Sequence, residues 1–185
     1  MQPSPDDFDN KPVAPDDLPD FSAVNLEPVA PRFRRYLLVN GFLFTLAITL
    51  GVSLFGGFVW GRMPGLVLAG AGLLFMLLTL IHAWLDPRYR GWAVREHDLI
   101  ARHGVIWRQT VVLPLVRVQH VETASGPVER LFDLMRLQCF SAGGASADVV
   151  FHGLSTETAL RIRTHLLNRI AHDHDKPSEE GDGRP

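Results

Sequence analysis

Four histidines, His97, His103, His120 and His152, fall in or beside stretches that alternate as strands, and Cys139 is the single cysteine of the chain. Imidazoles that converge bind metals or move protons near neutral pH, and an exposed thiolate is a nucleophile. The separations of these histidines set no ligand or triad spacing, so they read as strand-face residues. Cys139, alternating with Leu137 and Ser141, reads as a small buried hydrophobe. The run His172-Asp173-His174-Asp175 invites a metal reading, but four adjacent donors near a chain end lack the spacing and supporting shell of a built site. Glu122 and Glu129 flank a Gly126-Pro127 break and read as structural partners for Arg117 or Arg130. The chain holds no GxxxxGKS loop, GxSxG elbow, HExxH or CxxC pair. The expectation is therefore no enzyme, no metal, no cofactor and no nucleic-acid partner. Recognition falls to arginines, with Arg130, Arg136, Arg161, Arg163 and Arg169 as candidate contacts to an acidic partner or anionic lipid.

Those arginines must be positioned by what surrounds them, and the strongest organising feature is a pair of charge-free apolar runs, residues 37–60 and 65–85. At about 1.5 Å per residue each run spans roughly 30 Å, the hydrocarbon thickness of a bilayer. The remaining chain is too short to wrap two such helices in a water-soluble core. Residues 32–86 thus read as a transmembrane hairpin turning at Gly61-Arg62-Met63-Pro64. Small residues four apart, Ala47/Gly51, Gly57/Gly61 and Gly65/Ala69, let its helices pack on each other. Arg32, Arg34 and Arg35 precede the first span and Arg88, Arg90 and Arg95 follow the second, while the turn carries only Arg62. Lysine and arginine mark the cytoplasmic side, so both termini are expected there, with no cleaved signal peptide. The absence of acidic or basic residues within the spans argues against an ion pathway.

The net charge of −2 conceals an asymmetry. Residues 1–31 hold seven of the 13 prolines and seven acids against Lys11, a composition expected to stay disordered. Residues 173–185 read the same way. Between the hairpin and that tail, the period turns extended. Strands are expected over 89–95, 99–103, 105–113, 116–123, 136–142 and 148–152, with a turn at Glu96-His97-Asp98 and a break at Ala124-Ser125-Gly126-Pro127. A final helix opens with Ser155 as N-cap and carries the apolar stripe Ala159, Ile162, Leu166 and Ile170. Arg161, Arg163 and Arg169 give it a basic face.

The runs GVIWRQTVVLPLVRVQHVE (104–122), GPVERLFDLMRL (126–137) and SAGGASADV (141–149), then GLS before the last helix, resemble the bacterial pleckstrin-homology-like domain of the YdbS type, a membrane-flanked domain. The lead-in EPVAPRFRRY (27–36) is similar to that family's approach to its first span. The resemblance implies an α+β membrane protein: a two-helix transmembrane hairpin, then a PH-like antiparallel β-sandwich or partly open barrel over 87–172, capped by the C-terminal helix. It also implies location in the bacterial inner membrane and a companion membrane protein carrying several copies of the domain. It implies no settled activity. One departure stands out: Asp133 occupies a place where the family has glycine, so a left-handed turn there would fall to a tolerant non-glycine residue.

Two functions fit these expectations. In the first, the hairpin holds a binding or scaffold domain against the inner leaflet, where it meets a protein, peptide or lipid, and homo-oligomers are open to it. In the alternative, the protein is a subunit of a membrane complex for export of, or resistance to, a toxic compound, with the spans as interface. A membrane enzyme would require the strand histidines to converge.

Overall fold

The structure is a computed structural model and describes residues 24–141 and 147–174. Both expected disordered tails lie outside the described residues except where noted below, as do the side chains of the HDHD run.

Two helices open the fold, α1 (Pro31–Trp60) and α2 (Arg62–Leu85). Pro31 stands at the first position of α1, where its missing N–H costs nothing and its fixed φ suits the helix. The corner is tighter than expected: Gly61 alone breaks the helix, with φ +94°, and α2 starts at once. Leu54, Phe58 and Val67 are among many large apolar residues left exposed, an outer surface suited to lipid and not to water. The hairpin closes along a seam of Thr45, Thr49 and Gly56 from α1 and Gly65 and Ala83 from α2. At Gly65 a Cβ would lie 2.7 Å from the Cα of Gly57, so the two backbones touch there. The expected pair Ala47/Gly51 does not contribute. Both residues are exposed and Gly51 has nothing within 4 Å of a Cβ position. They follow Thr45 and Thr49 by two residues, about 200° around the helix, so a seam through the threonines turns them outward.

Two antiparallel sheets follow. The first has the order β1 (Glu27–Pro28), β2 (Gly91–Val94), β3 (Asp98–His103), β4 (Gln109–Pro114). The second has the order β5 (Val118–Ala124), β6 (Leu134–Ser141), β7 (Val149–Ser155). They face each other across Leu99, Leu113, Val121, Leu137, Cys139 and Phe151, and α4 (Thr156–His174) caps them with Ala159, Ile162 and Leu166. Ser155 caps that helix as expected, its Oγ accepting the Thr158 N–H at 3.1 Å. The sheets do not close on each other, which makes the domain a partly open barrel.

Three local differences from the sequence reading matter. β1 falls inside the stretch read as tail, yet Glu27 pairs with Trp92 and Pro28 with Gly91. Backbone pairing of a two-residue strand needs no apolar composition, so composition could not reveal it. Residues 105–108 form a turn instead of the start of a strand. After the Gly126 break comes a helix, α3 (Pro127–Leu131), held by Glu129, whose carboxylate accepts the Gly126 N–H at 2.7 Å. Asp133 takes the left-handed turn with φ +53°.

Candidate functional site

The chain on either side of the hairpin is woven into one structure. β1 precedes α1 and β2 follows α2, so their pairing holds both flanks on one side of the hairpin. The Ala30 N–H donates to Gly153 O at 2.8 Å. Gly153, at φ +75°, leaves room for Phe33, whose Cγ would lie 2.6 Å from any Cβ there. Phe33 joins Val29 and Leu134 in a second apolar cluster that reaches Tyr36 and Phe132. Asp86 is 3% exposed just beyond α2 and is ion-paired with Arg90, whose guanidinium also stands 5.6 Å from the Phe33 ring. A buried carboxylate is tolerable only with such a partner. Arg88 and Arg34 lie 4.1 and 5.8 Å from the Trp84 ring, an arrangement suited to a bilayer interface.

Beside this junction the barrel is open. A cleft of about 330 Å³ lies between β3–β4 and β7, lined by Arg90, Ala101, His103, Gln109, Val111, Asp148, Val149, Val150 and His152. Arg102 lines a narrower extension next to Val29 and Trp92. One wall is the β3–β4 face, where Ala101 lies opposite Val111 and His103 opposite Gln109, and the other is β7; β4 and β7 are edge strands of their sheets. Burial holds the His152 imidazole below its ordinary pKa, and the positive charges of Arg90 and Arg136 act in the same direction. Asp148 accepts the Ser141 N–H at 2.6 Å, and hydrogen bonding first from the Ser141 side chain and then from its backbone keeps the Asp148 carboxyl below the usual range. Guanidinium and imidazole donors beside edge strands can receive an extended, acidic segment. Among the described residues no group of three or more His, Cys, Asp or Glu could hold a metal ion.

The histidines divide three ways. His103 and His152 share the cleft, His120 meets Glu122 at 3.0 Å on the outer face, and His97 sits at the opposite end of the domain. Cys139 is fully buried and desolvation pushes its thiol up to about 12, far from a reactive thiolate. The five candidate arginines do not form one patch. Arg136 faces buried Glu129 at 3.2 Å, an ion pair without hydrogen-bond geometry. Arg161 pairs with exposed Glu157 at 2.6 Å. Arg169 lines a cavity of about 210 Å³ with Glu96, His97, Leu115, Val116, Leu166 and Ile170. Arg130 and Arg163 are exposed and carry no ion pair among the described residues. The helix α4 starts next to the junction and ends against the Glu96–His97 turn, so Arg169 stands roughly 20 Å from the hairpin end. Arg90 and Arg102, which the sequence reading did not single out for the cleft, were accessible in principle. Counting back from the Glu96-His97-Asp98 turn gives the β2–β3 register that sets Gly91 opposite Arg102.

The profile of the bacterial PH domain matches residues 38–170. The chain belongs to the bacterial PH domain family. Among curated relatives of this bacterial PH domain protein is the UPF0699 transmembrane protein YdbS of Bacillus subtilis strain 168, 28% identical over 108 residues that make up 55% of this chain and 66% of that one. The UPF0699 transmembrane protein YdbT of the same organism is 24% identical over 120 residues, 64% of this chain but 24% of YdbT. No solved structure matches. With transmembrane relatives and two helices long and apolar enough to cross a bilayer, this is a membrane protein.

Proposed function

We propose that this bacterial PH domain protein is an anchored binding or scaffold module of the bacterial inner membrane. Its hairpin crosses twice, both termini are cytoplasmic, and the domain presents the cleft between β4 and β7 to an acidic extended segment of a protein partner. The observation that carries the reading is the cleft itself: it lies beside the edge strands β4 and β7 and is lined by Arg90, His103 and His152, with Arg102 in its narrow extension. Strand addition to an open edge gives affinity through main-chain hydrogen bonds, and the basic lining selects charge. The double crossing is supported by the β1–β2 pairing across the hairpin, and the cytoplasmic side by arginines on both flanks against Arg62 alone at the corner. Anchoring raises the local concentration of a modest site. A second membrane protein bearing several such domains is the candidate companion.

A photocrosslinker at Gln109, in the full-length protein in its own membrane, tests the reading. A discrete protein adduct that Arg102→Glu abolishes, and that a crosslinker at His120 does not give, is expected. No adduct at Gln109, a lipid adduct, or one indifferent to Arg102→Glu overturns it. One observation favours a second reading in which the spans are an interface within a membrane complex: Ala47, Gly51 and Gly70 face outward, with open space at both glycines. Exchange of the hairpin for an unrelated one would then abolish function with the domain intact.

A further inference from the structure

Of the four most exposed large apolar side chains of the PH-like domain, Val116 stands at the far end and the other three lie beside the hairpin. Ile106 and Trp107, 76% and 87% exposed, form the tip of the β3–β4 turn, and Leu131, 83% exposed, ends α3. Both features lie at the hairpin end of the domain. β2 starts at Gly91, two residues after Tyr89, and Gly91 pairs with Arg102 of β3. β3 runs back toward the hairpin, so residues 104–108 extend past that level. At about 3.3 Å per strand residue they reach roughly 7–10 Å further, comparable with a headgroup layer of about 5–8 Å on each side of the hydrocarbon core. Arg108 at the base of the tip lies 5.1 Å from the Tyr89 ring, which closes the span-end helix Asp86–Tyr89. The tip is sterically set: Gly104 has φ +107° and a Cβ there would overlap the Trp107 carbonyl. On the other flank, Phe132 packs edge-on to Tyr36 at 6.3 Å and Asp133 pairs with Arg32 at 2.8 Å, which holds Leu131 beside the start of α1.

We infer that Ile106 and Trp107 on one flank and Leu131 on the other insert into the headgroup layer of the leaflet that the hairpin enters, seating the domain on the bilayer in one fixed orientation. The occupant is lipid because both tips are tied to residues at the span ends, where tryptophan, tyrosine and arginine side chains are favoured. With the tips in lipid, the cleft mouth lies close to the membrane plane. A partner segment then enters along the membrane and not from above.

Nitroxide labels on the full-length protein in phosphatidylcholine–phosphatidylglycerol vesicles test this. Ile106→Cys and Leu131→Cys place labels on the tips, and buried Cys139 gives little background. Val116→Cys is an equally exposed control at the far end of the domain, and Leu54→Cys reports the span. Relative to a water-soluble nickel chelate, oxygen should collide with the labels at 106 and 131 several-fold more often than with the label at 116. Labels at 106 and 131 that behave like 116, while 54 is in lipid, overturn the inference. A label at 54 in water would instead overturn the hairpin reading. Single-tryptophan Trp107 protein, quenched by brominated lipid, gives the second readout, and absence of quenching likewise refutes the seat.

Discussion

The two ends of the PH-like domain are made from the same strands and are held differently. At the hairpin end, Phe33 fills the space over Gly153, Ala30 bonds to Gly153 O, and the Asp86–Arg90 pair is buried in the joint. At the far end, the Glu96–Asp98 turn is stabilised by the half-exposed Arg95–Asp98 pair, Val116 stands 83% exposed, and Arg169 borders an open cavity. The domain is therefore grafted onto its anchor and does not swing from it. Orientation, and not just local concentration, is built into the joint, while the far end is left for adjustment.

The largest expected effect is a test of the graft. Phe33→Ala removes a buried ring and should cost about 3–5 kcal/mol locally. Hydrogen exchange of the protein in nanodiscs should then show lost protection in β7 and at Ala30, with the Glu96–Asp98 turn unchanged. Uniform loss over both ends would erase the distinction between them.

A smaller effect concerns the cleft next to the joint. Burial above all, and then the charges of Arg90, Arg136 and His103 against the opposing Glu129, leave the native pKa of His152 below the ordinary 6.5. The unfolded chain therefore binds the proton more readily. Stability from this group is complete above about pH 6.5 and is lost as pH falls below that value, with a slope of at most about 1.4 kcal/mol per pH unit. Thermal melts between pH 7.5 and 5 should show this slope, and His152→Gln should flatten it. A slope that survives the substitution assigns the effect elsewhere.

The smallest effect belongs to the exposed face of α4. Arg161→Ala breaks only the solvent-exposed pair with Glu157 and should shift stability by about 0.5 kcal/mol or less in a denaturation series. A larger loss would mean that the arginine face is part of the structure.

Much of this architecture could be read locally. Span lengths follow from uninterrupted hydropathy, strand positions from alternation, the α4 cap from Ser155, and the left-handed Asp133 from a motif with glycine at that place. The α3 helix escaped because a five-residue helix opened by Pro127 has too few turns to set a period. The site was less legible. By pattern His103 is a strand histidine, but its convergence with His152 depends on two sheets meeting. Composition groups the arginines, and geometry separates them.

The membrane hairpin and the succession of strands and final helix follow from the chain alone, because apolar length, period and turn chemistry act between near neighbours, and the family is legible in the motif runs 104–122 and 126–137. Only the tertiary structure decided that Glu27–Pro28 complete the sheet across the hairpin, which threonine face closes the spans, and which basic side chains share the cleft. Those depend on contacts between residues distant in the chain, whose positions are set by packing and register and by no local pattern.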